Sequence, residues 1–222
     1  MNDLAERRQE EKESRRDQIL DAAMAVADQV GVDSFTMDQV AKKARLSRAL
    51  IYVYFQNKED MLIGLADRAH LELGNRFTAI TNKKQTGLKM VQDMGRAYVE
   101  FATAYRVYFD AMACFAAHET HINEQNENEA RCMQACDRVM GVLVQALKIG
   151  IADGSLRRDM GPPEMVALTL WGLMYGVIQI ISSKEAVLNY LGASGNQLVE
   201  SALQLATRSL VSDTKPATKR KK

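Results

Sequence analysis

Apolar residues recur at three- and four-residue spacings along most of this chain, which is the period of an amphipathic α-helix. The first such stripe ends at Gly31 and consists of Ile19, Ala23, Val26 and Val30. Ser14, which precedes a charged turn, has the position of a helix N-cap. These residues predict a first helix that begins near Ser14 and ends at Gly31.

Three further helix starts are indicated by side chains that can cap a helix N-terminus. They are Thr36 with Gln39, Ser47, and Asn57 with Asp60. The first predicts a short helix over 37–44, and the last opens an apolar-periodic segment that reaches Leu73.

Longer stripes follow beyond about residue 75. One long core-facing helix is predicted from Tyr98, Phe101, Tyr105, Phe109, Met112 and Phe115. A second stripe consists of Cys132, Cys136, Leu143 and Leu147. An apolar helix then opens at Pro162-Pro163, and a last helix runs over 196–211. The pattern predicts an all-α protein, with a small N-terminal unit of short helices before a larger helical domain.

The segment 51–55, Ile-Tyr-Val-Tyr-Phe, is β-branched and aromatic, which favours a strand by propensity. No alternating run or hairpin turn nearby offers it a partner, so we predict a helix that starts after Ser47. On a helix, Ile51 and Phe55 share one face and can pack inward. The residues that then face outward are Arg48, Ala49, Tyr52 and Val53. Exposed Arg, Ala and Tyr on the first half of a helix suit a reader of the DNA major groove.

Charge supports this interpretation locally. The whole chain has a net charge of only +1, so a nucleic-acid surface has to appear as a local cluster. Such a cluster lies in residues 34–58, where Asp38 is the only acidic residue. The basic residues there are Lys42, Lys43, Arg45, Arg48 and Lys58. Positive charge is thus concentrated where DNA phosphates would lie.

The stretch TMDQVAKKARLSRALIYVYFQNKEDML resembles the helix-turn-helix of the tetracycline-repressor (TetR/AcrR) family of transcriptional regulators. The shared features are a Thr cap, a turn that ends in Ser, a Tyr-x-x-Phe recognition helix and an Asn-Lys-Glu start to the fourth helix. The resemblance covers about residues 15–66. It implies a DNA-binding domain there and a larger helical domain for ligand binding and dimerisation.

The resemblance implies a set of residues that hold the DNA backbone. Thr36 and Lys58 would contact phosphates, and Ser47 would cap the recognition helix at the DNA surface. Two positions depart from the family's pattern. Arg45 replaces a turn glycine, which costs roughly 1–2 kcal/mol if the residue is left-handed, and Leu50 replaces a hydroxyl residue that can hydrogen-bond to phosphate.

A second implied set reads the bases. Arg48 and Ala49 would face base edges, while Tyr52 and Tyr54 would touch the backbone or thymine methyl groups.

The charge pattern, the large apolar side chains and the resemblance together predict four segments and three partners. The segments are a charged arm (1–14), the helix-turn-helix domain (15–66), the ligand-binding and dimerisation domain (67–212) and a basic, disordered tail (213–222). The partners are a near-palindromic double-stranded DNA operator, a second copy of the chain and a small apolar or amphipathic effector that releases the DNA. An activator in place of a repressor stays open.

Large, adaptable side chains mark where an effector pocket is expected. The predicted lining residues are Tyr105, Phe109, Met112, Phe115, Met133, Met140, Trp171, Met174 and Tyr175. Gly172 and Gly176 would allow close approach of the last two helices to their copies in a homodimer.

Several alternatives use other parts of the chain. Cys114, His118 and His121 fall on one helical face, and with Cys132, Cys136 or Glu124 they would form a metal-sensing variant of the same fold. Cys132 and Cys136 would serve a redox-sensing variant. We favour packed cysteines, and we predict no metal and no cofactor. The four arginines of residues 1–16 could enter a minor groove, but balancing acids favour a solvated helix.

Two other classes of protein are disfavoured. The 17 uncharged residues 165–181 reach the short limit for a membrane span, yet a helix packed on two sides has the same composition. The sequence carries no nucleophile elbow, phosphate loop or spaced carboxylate pair, so we do not expect an enzyme. An odd number of cysteines and a charged N-terminus without an apolar core point to the cytoplasm.

Overall fold

A computed structural model describes residues 3–117 and 126–212, and all of the regular structure in those ranges is helical. The helices are α1 (Asp3–Val30), α2 (Met37–Ala44), α3 (Arg48–Tyr54), α4 (Lys58–Thr81), α5 (Gly87–Ala104), α6 (Arg106–Ala117), α7 (Glu127–Asp153), α8 (Pro163–Ser183), α9 (Glu185–Tyr190) and α10 (Gly195–Leu210). An isolated antiparallel bridge joins Leu156 to Val211. The predicted all-α class is confirmed.

The caps predicted from the sequence lie where the helices begin. Thr36 and Gln39 form a capping box at α2, and the Ser47 hydroxyl accepts a hydrogen bond from the N–H of Leu50 at the start of α3. The Asn57 side chain accepts from the N–H of Asp60 at 2.8 Å, as expected for α4. These contacts span three residues, so local sequence is enough to predict them.

Two predicted helix boundaries are wrong. The first helix begins at Asp3 rather than near Ser14, and Lys12 and Glu13 in its additional turns form ion pairs with α7. The predicted long helix through 98–115 is two helices that break at Tyr105. Phe101 and Phe109 are both fully buried on either side of the break, so the apolar period continues through it and hides it.

The chain divides into two compact units. The first unit contains Met1–Leu71 and Tyr105–Ala135, and the second contains Glu72–Ala104 and Cys136–Lys222. In the second unit α5, α8 and α10 pack on one another. Within the described ranges, α8 is the one helix long and apolar enough to span a bilayer by length and composition, a test that the core helices of soluble proteins also pass.

From Asp3 onward the charged arm is the N-terminal part of α1, and two ion pairs of the first unit join it to α7. Lys12 Nζ lies 2.9 Å from a Glu127 oxygen, and Arg131 Nη2 lies 2.5 Å from a Glu13 oxygen. The hydrogen bond from Arg131 lowers the pKa of the Glu13 carboxyl. The arm is therefore helical, as the solvated-helix alternative expected.

A buried polar network crosses the core of the first unit, and we call its four members the Arg16 network: Arg16, Asp60, Asp67 and Asn128. Each side chain is almost fully removed from solvent. Arg16 donates to Asp67 Oδ2 at 3.1 Å and to Asn128 Oδ1 at 3.1 and 3.2 Å. The Asn128 amide donates to Asp60 Oδ1 at 3.0 Å and to the carbonyl oxygen of Tyr54 at 3.2 Å. The network thereby joins α1, α4 and α7 to the last residue of α3.

Asp60 also fixes the turn between α3 and α4. Its Oδ2 accepts from the backbone N–H of Gln56 at 2.8 Å, and its Oδ1 accepts from Asn126 at 3.1 Å. The Arg16 guanidinium lies 5.8 Å from the ring centre of Phe55. In the part of the chain that the structure describes, no buried side-chain nitrogen or oxygen lacks a hydrogen-bond partner, so the burial of these charges is compensated.

Asn128→Ala is predicted to lower the free energy of unfolding by about 2–4 kcal/mol, because it leaves a buried carboxylate, a guanidinium and a carbonyl short of partners. Urea unfolding at fixed protein concentration measures the change. Asn75→Ala, at an exposed position of α4, is the matched control and should stay within about 0.5 kcal/mol of wild type. Equal stability of the two variants would contradict the role of the network.

Candidate nucleic-acid interface

The helix-turn-helix of the first unit is closed by short-range hydrogen bonds. At its start, Thr36 Oγ1 accepts from the N–H of Gln39 at 3.3 Å, and Gln39 Oε1 accepts from the N–H of Thr36 at 2.8 Å. At the end of α2, the Gln18 side chain of α1 donates to the carbonyl oxygen of Ala44 at 3.0 Å. Both ends of α2 are therefore fixed.

The turn between α2 and α3 passes through a left-handed residue. Arg45 has φ 57° and ψ 42°, the conformation that a glycine would adopt without steric cost. Its N–H and that of Leu46 bond to the last carbonyl groups of α2, at 3.3 Å to Lys42 and 3.0 Å to Ala41. The side chain of Arg45 is exposed beside Lys42 and Lys43.

The aromatic segment 51–55 is helical up to Tyr54, as predicted. Ile51 and Phe55 are fully buried, whereas Tyr52 is 44% exposed and Val53 76% exposed. Ala49 is exposed on the same short helix. The helix therefore presents Ala, Tyr and Val outward while two apolar anchors hold it to the core.

The guanidinium of Arg48 is held by two neighbours. Its Nε lies 2.6 Å from Asp38 Oδ1 in the first turn of α2. A hydrogen bond with Tyr52, followed by the charge of Asp38, raises the pKa of Arg48. Both members of the ion pair are largely exposed, with 64% and 59% of their side-chain surfaces accessible.

Lys58, at the first position of α4, folds back over the loop before α2. Its Nζ donates to the carbonyl oxygen of Asp33 at 2.5 Å and lies 4.9 Å from the ring centre of Phe35. The ammonium group is half-buried at a helix N-terminus, which is a favourable place for an anion. Tyr54 is half-buried too, and its carbonyl belongs to the contacts of the Arg16 network.

All seven predicted DNA-binding residues lie on the α2–α3 element or at the start of α4 within the first unit. They are Thr36, Ser47, Arg48, Ala49, Tyr52, Tyr54 and Lys58. Their contacts with DNA stay predictions.

The nine predicted pocket residues fall in both units. Tyr105, Phe109, Met112, Phe115 and Met133 belong to the first unit, and Met140, Trp171, Met174 and Tyr175 belong to the second. In the second unit the Trp171 and Tyr175 rings stack with centres 5.4 Å apart. Trp171 is hydrogen-bonded to the buried Tyr98, whose pKa is raised by burial, and Tyr175 accepts from Gln179 at 3.2 Å.

The other predicted sites are placed as follows. On α8, a Cβ added to Gly172 or Gly176 would meet nothing within 4 Å. Cys132 is fully buried, with its Sγ 3.7 Å from His70 Nδ1, and Cys136 and Cys114 are half-buried.

The metal alternative falls partly on residues that the structure does not describe. His118, His121 and Glu124 lie outside the described residues, as does the basic tail 213–222. Within 3–117 and 126–212, no group of three metal-ligating side chains comes together. Burial raises the pKa of the Cys114 and Cys136 thiols, which disfavours the reactive thiolate form.

Two features of this site are not predicted from the sequence. Asp38 enters there only as a charge, although it contacts Arg48. The Arg16 network was missed as well. The sequence signals only that Arg16 faces inward, since it stands three and four residues before the buried Ile19 and Leu20 on the same helical face.

The family comparisons agree with this geometry. Residues 19–65 match the family described as "Bacterial regulatory proteins, tetR family", and residues 91–205 match "Tetracyclin repressor-like, C-terminal domain". The chain belongs to the TetR family of bacterial transcriptional regulators. It is a regulator with a DNA-binding helix-turn-helix and not an enzyme.

Individual relatives are more distant. The HTH-type transcriptional regulator SrpR of Pseudomonas putida is 29% identical over 155 residues, which cover 69% of this chain and 68% of SrpR. SmeT, the repressor of the Stenotrophomonas maltophilia multidrug efflux pump SmeDEF, is 18% identical, with a TM-score of 0.63 over 93% of this chain and 96% of SmeT. A SmeT–triclosan complex gives a TM-score of 0.62 at 20% identity, over 94% of this chain and 98% of that one. At these identities the structural likeness concerns the fold alone.

Arg45→Gly is expected to raise the free energy of unfolding by about 1 kcal/mol relative to Arg45→Ala, because glycine relieves the left-handed strain that alanine keeps. Urea unfolding of the two variants measures the difference. Both variants lose the same charge, so a loss of DNA affinity should be equal in the two. Equal stability of the glycine and alanine variants would contradict a strained turn.

Proposed function

We propose that this regulator is a cytoplasmic homodimeric repressor that binds a near-palindromic operator and is released by a small apolar or amphipathic effector. One observation carries the proposal: α3 is anchored by buried Ile51 and Phe55 while Arg48, Ala49 and Tyr52 face solvent. A rigid helix with exposed donors and methyl groups suits the major groove.

Two groups of residues would bind DNA, one through its phosphates and the other through its bases. Thr36, Ser47 and Lys58 would hold phosphates and so set the register, together with the exposed Lys42 and Lys43 of α2. Arg48 and Ala49 would read base edges, and the half-exposed rings of Tyr52 and Tyr54 would pack on the backbone or on thymine methyl groups.

Dimerisation is supported by apolar surface on the second unit. Along α8, Met165, Leu168 and Ile180 are exposed, as is Leu205 on α10. Exposed apolar side chains on one element favour association, and Gly172 and Gly176 lie among them with open space beside them. Pairing of α8 and α10 with their copies in a four-helix bundle would present two recognition helices to one DNA duplex.

The effector proposal rests on the aromatic side chains of the second unit. Tyr98, Trp171, Tyr175 and Gln179 combine apolar rings with hydroxyl and amide groups, a mixture typical of pockets for amphipathic molecules. The triclosan complex of SmeT supports a ligand of that kind. An effector would release DNA if it bound more tightly to a conformation whose recognition helices are wrongly spaced.

Tyr52→Ala is predicted to weaken binding to a selected genomic DNA fragment by about thirtyfold or more, because each of the two subunits loses a contact of about 1–3 kcal/mol. Fragments are selected with wild-type protein and titrated with the variants. Tyr190→Ala, which removes a phenol that is 89% exposed on α9, is the control and should keep wild-type affinity. Unchanged affinity in Tyr52→Ala would contradict the proposal.

Binding of an effector near Trp171 predicts a change in intrinsic fluorescence, since this is the chain's one tryptophan. Triclosan and a panel of apolar aromatic and acyl compounds are titrated against the protein–DNA complex. Compounds that release DNA should change Trp171 emission with the same midpoint, after correction with a free tryptophan amide. A compound that releases DNA without any change in emission would place the effector elsewhere.

A further inference from the structure

Asp38 occupies an unusual place on the proposed reading surface. It is the only acidic residue between Ser34 and Lys58, and it stands in the first turn of α2 with its side chain exposed. A carboxylate there repels DNA phosphates and lowers the affinity for every sequence alike. A carboxylate in the first turn of a helix stabilises that helix slightly, and an exposed ion pair adds little more, so folding accounts for only a modest part of its presence.

The contact that Asp38 does make is directed at the base-reading arginine. Its Oδ1 lies 2.6 Å from Arg48 Nε, which is the inner nitrogen of the guanidinium. Tyr52, one helical turn beyond Arg48, holds the same group by a hydrogen bond. The arginine thus has one partner on α2 and another on α3, and together they favour one orientation of its guanidinium.

The remaining donors of Arg48 fit one kind of base. A guanidinium carries five N–H donors in a fixed plane, and the ion pair with Asp38 lies at the inner nitrogen, Nε, so the terminal nitrogens keep donors beyond the one that Tyr52 engages. Two such donors side by side match the O6 and N7 acceptors of guanine in the major groove. A guanidinium that is already held in one orientation loses less conformational entropy when it binds DNA. It also adapts less readily to a wrong base.

Resting on the proposed function, we infer that Asp38 is a specificity-determining residue: it positions the Arg48 guanidinium for a guanine edge, and its negative charge weakens binding to non-cognate DNA. The carboxylate therefore lowers total affinity and raises the ratio of specific to non-specific binding. A purely structural carboxylate would change neither the preference at one base pair nor this ratio.

The test starts from the highest-affinity duplex that wild-type protein retains from a random-sequence library. Each base pair of one half-site is replaced in turn, and binding is measured for wild type, Arg48→Ala and Asp38→Ala, with sheared non-cognate DNA as the second ligand. The base pair at which Arg48→Ala loses discrimination identifies the position that Arg48 reads. Circular dichroism and thermal unfolding confirm that the variants are folded.

At that base pair, wild type should prefer guanine by about 5- to 150-fold, and Asp38→Ala should lose most of this preference while keeping the preferences at other positions. The double variant should lose no more than Arg48→Ala alone. Affinity of Asp38→Ala for non-cognate DNA should rise several-fold. Asp38→Asn should raise the affinity for non-cognate DNA equally. It should also keep part of the guanine preference, because its amide oxygen can accept a hydrogen bond from Arg48.

Three outcomes would overturn the inference. In the first, Asp38→Ala keeps the full guanine preference at the Arg48 position; in the second, it loses base preference evenly at all positions. In both cases the wild-type protein has still selected a duplex, so the proposed function stands. Failure of wild type to select any duplex would overturn the proposed function together with the inference. Asp28→Ala, which removes an exposed acid from α1 of the same unit, is the charge-matched control and should leave the guanine preference unchanged.

Discussion

The buried Arg16 network is the interaction on which the position of the recognition helix depends. One guanidinium, two carboxylates and an amide lie together in the core of the first unit, and burial raises the pKa of Asp67 even though Arg16 opposes the shift. Removing one charged partner of a buried ion pair such as Arg16–Asp67 costs about 3–5 kcal/mol, so the geometry of the network has little freedom. Because Asn128 bonds to the carbonyl of Tyr54, this rigidity reaches the end of α3.

The outward face of α3, in contrast, contributes little to the stability of the fold. Its polar contacts are exposed. An exposed ion pair such as that of Arg48 and Asp38 contributes at most about 1 kcal/mol to the free energy of unfolding. Substitutions there can alter base preference without unfolding the domain. The first unit therefore combines a buried network whose disruption costs much stability with an exposed DNA-reading surface whose substitution costs little. This combination allows base preference to change while the fold is kept.

The sequence predicted those parts of this structure that depend on local interactions. The capping box of Thr36 and the inward side chains Ile51 and Phe55 follow from spacings of three and four residues, and the helix boundaries from Met37 to Tyr54 agree with them. The Arg16 network could not be predicted, because Arg16 and Asn128 are 112 residues apart along the chain. The break at Tyr105 was hidden because both flanking helices bury aromatic residues in the same period.

A footprint of the protein on its selected DNA fragment tests the central claim most directly. The account predicts two protected half-sites on one side of the duplex, centred 34–36 Å or about 10 base pairs apart, with major-groove guanines shielded in each. Protection of the two half-sites should disappear together as the salt concentration is raised, since binding at each half-site depends on phosphate contacts. A single protected segment, or protection spread evenly along the fragment, would contradict a dimer that reads DNA through two copies of α3.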